Sequence, residues 1–306
     1  MTEDMATPHD LPKVSCVIPS YRRSDTVTRA IDSVLAQTYP NMEVCVVDDN
    51  YPGDAFSRQL GQLLERYRHD ARVRCIQQEK HVNGAVARNV GIRAAQGEFI
   101  AFLDDDDEWL PEKTCRQMEI FFNHPSTDAV TTLWTRYVQG KAVMRCPVYS
   151  TDDFQYKVFA REISVFSSTV LIRKSAIDKF GGFDESLVRH QDLQFLVHAA
   201  RDGSFEVVPE YLVKLHADST ANQLDPARFV EAKSAFFRSV KSELDKYPPP
   251  RRRNIENAHR FEILLFALRA KNFFLAMKYL WKIGPDIPAY AALFRRIKDR
   301  KRREST

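Results

Sequence analysis

At 306 residues, 44% hydrophobic and 28% charged, the chain can bury one large core with an appendage, which excludes a disordered, fibrous or membrane-embedded architecture. Its five cysteines, at 16, 45, 75, 115 and 146, form no CxxC pair and cannot all join in disulfides, so a reducing cytosol is expected. The net charge of +4 is uneven: residues 251–306 hold 15 Lys and Arg against 5 Asp and Glu, or +10, which leaves −6 for residues 1–250.

The opening MTEDMATPHD is acidic and has no apolar run, so no secretory leader is expected, and residues 1–12 read as a disordered start. Val14 to Ile18 is a short β-branched run that reads as a buried strand ending at Pro19. Ser24 or Asp25 can cap a helix in which Val27, Ala30, Ile31, Val34 and Leu35 recur at helical spacing until Tyr39 and Pro40. A second buried strand, Val44 to Val47, runs directly into Asp48, Asp49 and Asn50, so a parallel β-α-β unit is predicted within the first fifty residues.

A polar helix follows over Phe56 to Arg68, then a strand over Val73 to Gln77 and the loop HVNG. In the next helix Ala87, Val90, Gly91 and Ala94 are small enough for close packing on a sheet, and Gly97 is expected to supply a left-handed cap. Phe99 to Leu103 reads as a buried strand opening into Asp104, Asp105, Asp106, Asp107 and Glu108, with Pro111 starting the following helix. Asp128 to Leu133 and Val165 to Ile172 are strand-like. A helix from Ser175 stops at Gly181 and Gly182, and another runs from Gln191 to Gly203. From Pro226 the pattern is helical and broken by prolines, which places a boundary near 220. No segment reaches the roughly 20 apolar residues needed to cross a bilayer.

The chemistry is concentrated where strands end. In an open α/β sheet, ligands bind beyond the carboxyl ends of the strands, and here two such ends carry aspartates, at 48–49 and 104–107. Adjacent carboxylates repel one another, and a hard divalent cation shared with phosphates would relieve that repulsion. A solvated acidic loop is the plainer reading of the run by itself; its position at a strand end favours the cation.

These segments resemble family 2 glycosyltransferases. The string VSCVIPSYRR, the following SVLAQTYP and EVCVVDDN look like that family's opening. NGAVARNVGIRAAQGEFIAFLDDDDEW and GGFDESLVRHQDLQF look like its donor-metal and acceptor-base regions. The resemblance covers roughly residues 13–220. It implies a GT-A fold: a Rossmann-like α/β domain with a mostly parallel central sheet flanked by helices, here over 13–220, followed by a helical C-terminal region with a basic tail over 221–306.

Carried over position by position, the resemblance implies that Pro19, Ser20 and Tyr21 border the nucleoside pocket, with Tyr21 able to stack on the base. Asp49 would receive the base's ring N–H, a task suited to an ionised carboxylate because it only accepts. Arg88 and Asn89 would lie near the nucleotide. Asp104, Asp105 and Asp106 form the DxD element, with Asp106 as direct metal ligand, Asp104 and Asp105 nearer the ribose and metal waters, and Asp105 standing where serine is common. Gln191-Asp192 occupies the place of the family's Glu-Asp pair, which makes Asp192 the expected catalytic base and Gln191 an acceptor-side residue. His216 would contact the pyrophosphate or metal. His81, His190 and His198 carry weaker cases, and Trp109 is expected to be structural.

The implied partners are a nucleotide-sugar donor, usually a uridine diphosphate sugar, a saccharide or lipid-linked acceptor, and Mn²⁺ or Mg²⁺. The expected location is cytoplasmic and peripheral to the inner membrane surface, with a contact through the basic tail from Phe294 to Arg303. Two other readings stand beside this one. A sugar nucleotidyltransferase would want a glycine-rich basic loop near 19–24, which is absent. A non-catalytic nucleotide or nucleic-acid binder draws its support from Gln191 and the basic tail. No GxGxxG, P-loop, HExxH or GxSxG string supports other enzyme classes.

Overall fold

The computed structural model describes residues 11–23, 26–217 and 225–285. The first half alternates as expected: β1 (Val14–Ser20), α1 (Val27–Leu35), β2 (Met42–Asp48), α2 (Ala55–Leu64), β3 (Val73–Gln77), α3 (Gly84–Ala94) and β4 (Phe99–Phe102). The middle runs β5 (Glu108–Trp109), α4 (Lys113–Asn123), β6 (Ala129–Val138), β7 (Lys141–Arg145), α5 (Phe154–Phe159), β8 (Leu171–Arg173), α6 (Lys174–Phe180), α7 (Gln191–Asp202) and β9 (Phe205–His216). Four helices follow: α8 (Pro226–Ser239), α9 (Lys241–Asp245), α10 (Pro249–Arg269) and α11 (Phe273–Ile283).

The strands form one sheet in the order β3-β2-β1-β4-β8-β6-β9-β5, with β7 on β6. β3, β2, β1 and β4 are mutually parallel, as helical crossovers require, and β8 enters antiparallel between β4 and β6. Side chains alternate across the sheet. Val17, Cys45, Ile100 and Phe102 face one apolar cluster with Phe159, Phe195 and Phe236, while Cys16, Val44, Ala101 and Leu103 face another with Ile31, Val34, Trp109 and Phe121. Each fully buried Val, Leu, Ile or Phe is worth about 1.5–3 kcal/mol, so this doubly covered sheet is the rigid base on which the strand ends are held. Phe236, Val240, Leu244 and Ile255 bring the C-terminal helices onto the first face, and Phe229, Leu264, Ala276 and Tyr279 belong to a separate cluster among those helices.

Several local expectations are corrected. β1 continues through Pro19 to Ser20: its pairing with β4 stops at Val17, opposite Phe102, so the N–H that Pro19 lacks points past the end of the neighbouring strand. Gly97 is not a left-handed cap, since α3 closes at an extended Ala95; a Cβ at Gly97 would lie 2.6 Å from the Lys13 carbonyl oxygen, so close backbone approach explains the glycine. α4 starts at Lys113 rather than Pro111 because the Gln37 side-chain oxygen accepts the Thr114 N–H at 2.9 Å while the Pro111 carbonyl accepts the Thr38 N–H. Residues 65–67 tighten into a 3-10 turn, as do 167–169, which interrupts the strand expected over Val165 to Ile172 and leaves Leu171–Arg173 as the part that pairs in the sheet. The cap expected at Ser24 or Asp25 and the basic tail lie outside the described residues. Among the described residues, no helix is long and apolar enough to cross a membrane.

Candidate active site

β4 lies between β1 and β8, and the chain turns sharply at its carboxyl end, where the Asp107 N–H donates to the Asp104 carbonyl at 3.0 Å. That turn sends the four carboxylates in different directions. Asp104 accepts from Arg88 Nη2 at 2.5 Å. Asp105, buried, faces Arg23 at 3.6 Å, and Asp106 forms an ion pair with the same guanidinium. Asp107 points inward and accepts from Ser168 Oγ at 2.7 Å and from the His216 N–H at 3.1 Å. Trp109 braces the loop from below, as expected: it is buried and its indole N–H donates to the Ser168 carbonyl at 2.8 Å.

Crowding sets the electrostatics. Burial, with the Asp106 charge second, pushes the Asp105 carboxyl up to about 7, Arg23 opposing. Burial, with repulsion from Asp104, likewise raises Asp106. Burial raises Asp107 well above the usual carboxylate range. These carboxyls are raised even with three arginines against the loop: Arg23 on Asp105 and Asp106, Arg88 on Asp104, and Arg29, whose Nη2 donates to the Asp106 carbonyl at 2.6 Å.

Arg88 joins the acidic loop to α7. Its Nη1 donates to Gln191 Oε1 at 3.2 Å, and Gln191 Nε2 in turn donates to the Leu187 carbonyl at 2.6 Å. The packing leaves no room for a side chain at Gly84, where a Cβ would lie 2.9 Å from Arg88 Nη1 and 3.1 Å from Gln191 Oε1. Asp192, one residue further into α7, has its carboxyl raised by burial, with Arg88 opposing and Asp104 adding to the rise. Asp104, Arg88 and the pair Gln191-Asp192, named at three places along the sequence, thus form one group. Asn89 turns the other way: its side chain donates to the Phe183 carbonyl at 2.9 Å and accepts the Phe183 N–H at 3.0 Å, tying α3 to the loop after Gly182 that delivers α7.

The ends of β1 and β2 make a second group. Asp49 is buried, with one carboxylate oxygen accepting from Gln78 Nε2 at 2.6 Å and the other 2.9 Å from His81 Nδ1. Burial raises its carboxyl, and His81 opposes the shift. Tyr21 stacks on the His81 ring at 3.7 Å between centroids and 10° between planes. Pro19 and Ser20 hold the strand end beneath Tyr21, and the Ser20 carbonyl accepts the Asp49 N–H at 2.9 Å. The weight of His81 was missed from sequence; its place in the loop following β3 was the available signal. Arg23 was missed altogether, although an arginine just past a strand end opposite an acidic loop is a charge match.

His216 ends β9 beside the acidic loop, where its Nε2 is 3.6 Å from the Glu108 carboxylate. A divalent cation fits this loop by donor type, because Asp104 and Asp106 are hard oxygen donors on one turn; it would share them with Arg88 and Arg23, which pair with them here. Among the described residues, no group of three or more His, Cys, Asp or Glu is arranged to hold an ion. The fit is therefore to the kind of ion that keeps one or two carboxylates and completes its shell with phosphates and water.

Residues 15–181 match the sequence model described as Glycosyl transferase family 2. The chain is 26% identical over 211 residues to the amylovoran biosynthesis glycosyltransferase AmsB of Erwinia amylovora, an alignment spanning 66% of this chain and 69% of AmsB. It is 28% identical over 165 residues to UDP-Glc:alpha-D-GlcNAc-diphosphoundecaprenol beta-1,3-glucosyltransferase WfaP of Escherichia coli, spanning 54% of this chain and 62% of that relative, less than two thirds of its length. Among solved structures, S. aureus TarS 1-349 in complex with UDP superposes with a TM-score of 0.65 at 20% identity over 95% of this chain and 89% of that one. The same protein in complex with UDP-GlcNAc gives 0.66 at 19% identity, with the same coverage. These likenesses establish the GT-A fold with its C-terminal helices.

Proposed function

The chain belongs to glycosyltransferase family 2, and from that premise we propose that it is an inverting, metal-dependent transferase moving a sugar from a uridine diphosphate sugar to an acceptor hydroxyl. The observation that carries the reading is the convergence of Asp104, Arg88, Gln191 and Asp192 at the carboxyl end of the sheet. The acceptor class we propose is a saccharide or lipid-linked saccharide used for cell-surface polysaccharide or glycolipid assembly. Support for it comes from relatives named for amylovoran biosynthesis and for transfer to a diphosphoundecaprenol-linked sugar, and TarS, crystallised with UDP and with UDP-GlcNAc, supports the donor class.

In this reading Tyr21, His81 and Asp49 border the nucleoside, and Arg88 neutralises charge between the donor side and α7. Asp192 takes the proton from the acceptor hydroxyl as that oxygen attacks the anomeric carbon. The bond from that carbon to the diphosphate oxygen breaks on the opposite side, so configuration inverts and no covalent enzyme intermediate forms. Burial raises the proton affinity of Asp192, which suits a general base. Asp104 and Asp106 would hold Mn²⁺ or Mg²⁺, which when bound supplies neutralisation of charge on the departing diphosphate, and His216 borders that place.

A screen of nucleotide sugars for Mn²⁺-dependent release of nucleoside diphosphate tests the proposal. Release from one or a few uridine diphosphate sugars is expected. Strong, salt-sensitive retention of nucleic acid with no release from any nucleotide sugar would instead favour a binding protein.

A further inference from the structure

The last described helix, α11, is apolar on both sides. Ala276, Tyr279 and Ile283 bury one side against Phe261, Leu264 and Ala267 of α10, and the Asn272 side chain caps the start by accepting the Leu275 N–H at 3.0 Å. The helix is thus fixed by a core of its own. Its other side carries Phe273, Phe274, Met277, Leu280 and Trp281, all exposed, with Phe274 at 84% and Trp281 at 83%. At about 100° per residue these five side chains share one arc of about 120°. Lys278 and Lys282, also exposed, follow along one edge of that arc.

We propose that this face of α11 seats the protein on an anionic bilayer surface. Isolated apolar side chains on a surface are ordinary, whereas five in one arc leave a continuous strip in water. Phenylalanine and tryptophan suit the boundary between headgroups and acyl chains, and lysines beside them suit anionic headgroups. The charge of the whole region agrees: from Ile263 to Pro285 the sequence has Arg269, Lys271, Lys278 and Lys282 and no Asp or Glu.

Two other occupants fit less well. A helix of 11 residues is only about 16 Å long, too short a strip to supply the roughly 800 Å² per partner that a stable protein interface buries. The chain beyond Pro285 holds seven Lys and Arg against three Asp and Glu, so folding it back would set like charge against Lys278 and Lys282. The contact is independent of the transfer chemistry and differs from one made by the basic tail.

The three tryptophans provide the test. Trp109 and Trp134 are 2% and 3% exposed inside the sheet's core, so accessible emission belongs to Trp281. The full-length protein is mixed with vesicles of phosphatidylcholine, with or without phosphatidylglycerol and with brominated acyl chains as quencher. Expected results are a blue shift and quenching confined to vesicles containing phosphatidylglycerol, with loss of both in Trp281→Ser. Phe274→Ser with Met277→Ser should reduce the bound fraction at least about tenfold. Lys278→Glu with Lys282→Glu should remove the preference for anionic lipid. Sedimentation with vesicles while Trp281 stays unquenched would assign the contact to the tail and overturn the proposal. So would absence of binding, or a concentration-dependent mass in solution that Phe274→Ser with Met277→Ser abolishes, which would give the face to a second copy.

Discussion

Arg88 donates to Gln191 at 3.2 Å across 103 residues of sequence, and through this bond the helix carrying Asp192 is held against the acidic turn after β4. Gln191→Leu would leave a buried guanidinium nitrogen without that acceptor, costing about 1–3 kcal/mol of stability as read from the urea midpoint. Gln191→Glu should keep stability within about 1 kcal/mol of the wild type or raise it, because its pair with Arg88 is charge-assisted. Equal loss in both variants would mean that the bond contributes nothing specific.

Asp192→Asn keeps the size and shape of the side chain but cannot take a proton. Nucleotide-sugar and Mn²⁺ binding should be unchanged, while transfer slows at least about 100-fold. Calorimetric titration and single-turnover transfer separate the two effects, and near-normal transfer would remove Asp192 from the base's role.

Asp106→Ala should leave the fold intact, because burial and repulsion already disfavour the charge of that carboxyl in the folded protein. Nucleotide affinity measured with and without Mn²⁺ should differ in the wild type and not in the variant, and a chelator should bring the wild type to the variant's value. Identical metal dependence in the two proteins would exclude Asp106 as a ligand.

Lys113 makes a prediction about pH. Its ammonium group is fully buried over the Trp109 ring at 3.8 Å, and burial pushes it down to about 7 from an ordinary lysine value near 10.4. Between these values the unfolded chain binds a proton that the folded protein does not, so this group's contribution to stability rises as pH increases from about 7 to about 10. Lys113→Met should flatten that part of the stability curve. The slope is the useful readout, since Gln117 Oε1, which accepts from the lysine at 2.8 Å, loses a partner at every pH.

A Cβ at Gly91 would lie 2.2 Å from Val17 Cγ1, where α3 packs on β1. Gly91→Ala should therefore cost about 1–3 kcal/mol, and much of that loss should return when Val17→Ala makes room. Additive losses in the double variant would show that the helix accommodates the methyl group by another route.

What the sequence determined by itself is whatever neighbouring residues settle among themselves. Apolar runs of four or five residues bounded by aspartates and prolines fixed β1, β2 and β4 to within about two residues of their ends. The same runs placed acidic residues at strand termini, where an open sheet binds ligands. Small side chains on α3 foretold its close approach to β1, as Gly91 shows. The cause of each glycine was less legible: Gly97 marks a close backbone passage, which is indistinguishable in sequence from a left-handed cap.

Tertiary structure decided which side chains share the site and which charges compensate one another. Four consecutive aspartates look equivalent in sequence, yet one tight turn directs Asp104 to Arg88, Asp106 to Arg23 and Asp107 inward to Ser168. Arg88 and Asn89 are adjacent and looked alike as nucleotide contacts, but one helical step of about 100° sends the first to the acidic turn and the second to the loop at Phe183. The stacking of Tyr21 on His81 depends on β1 and β3 flanking β2, a relation set by strand order. Periodicity registers which face of an element is buried; partners 80 to 100 residues away are fixed only when the packed sheet sets the direction of each side chain.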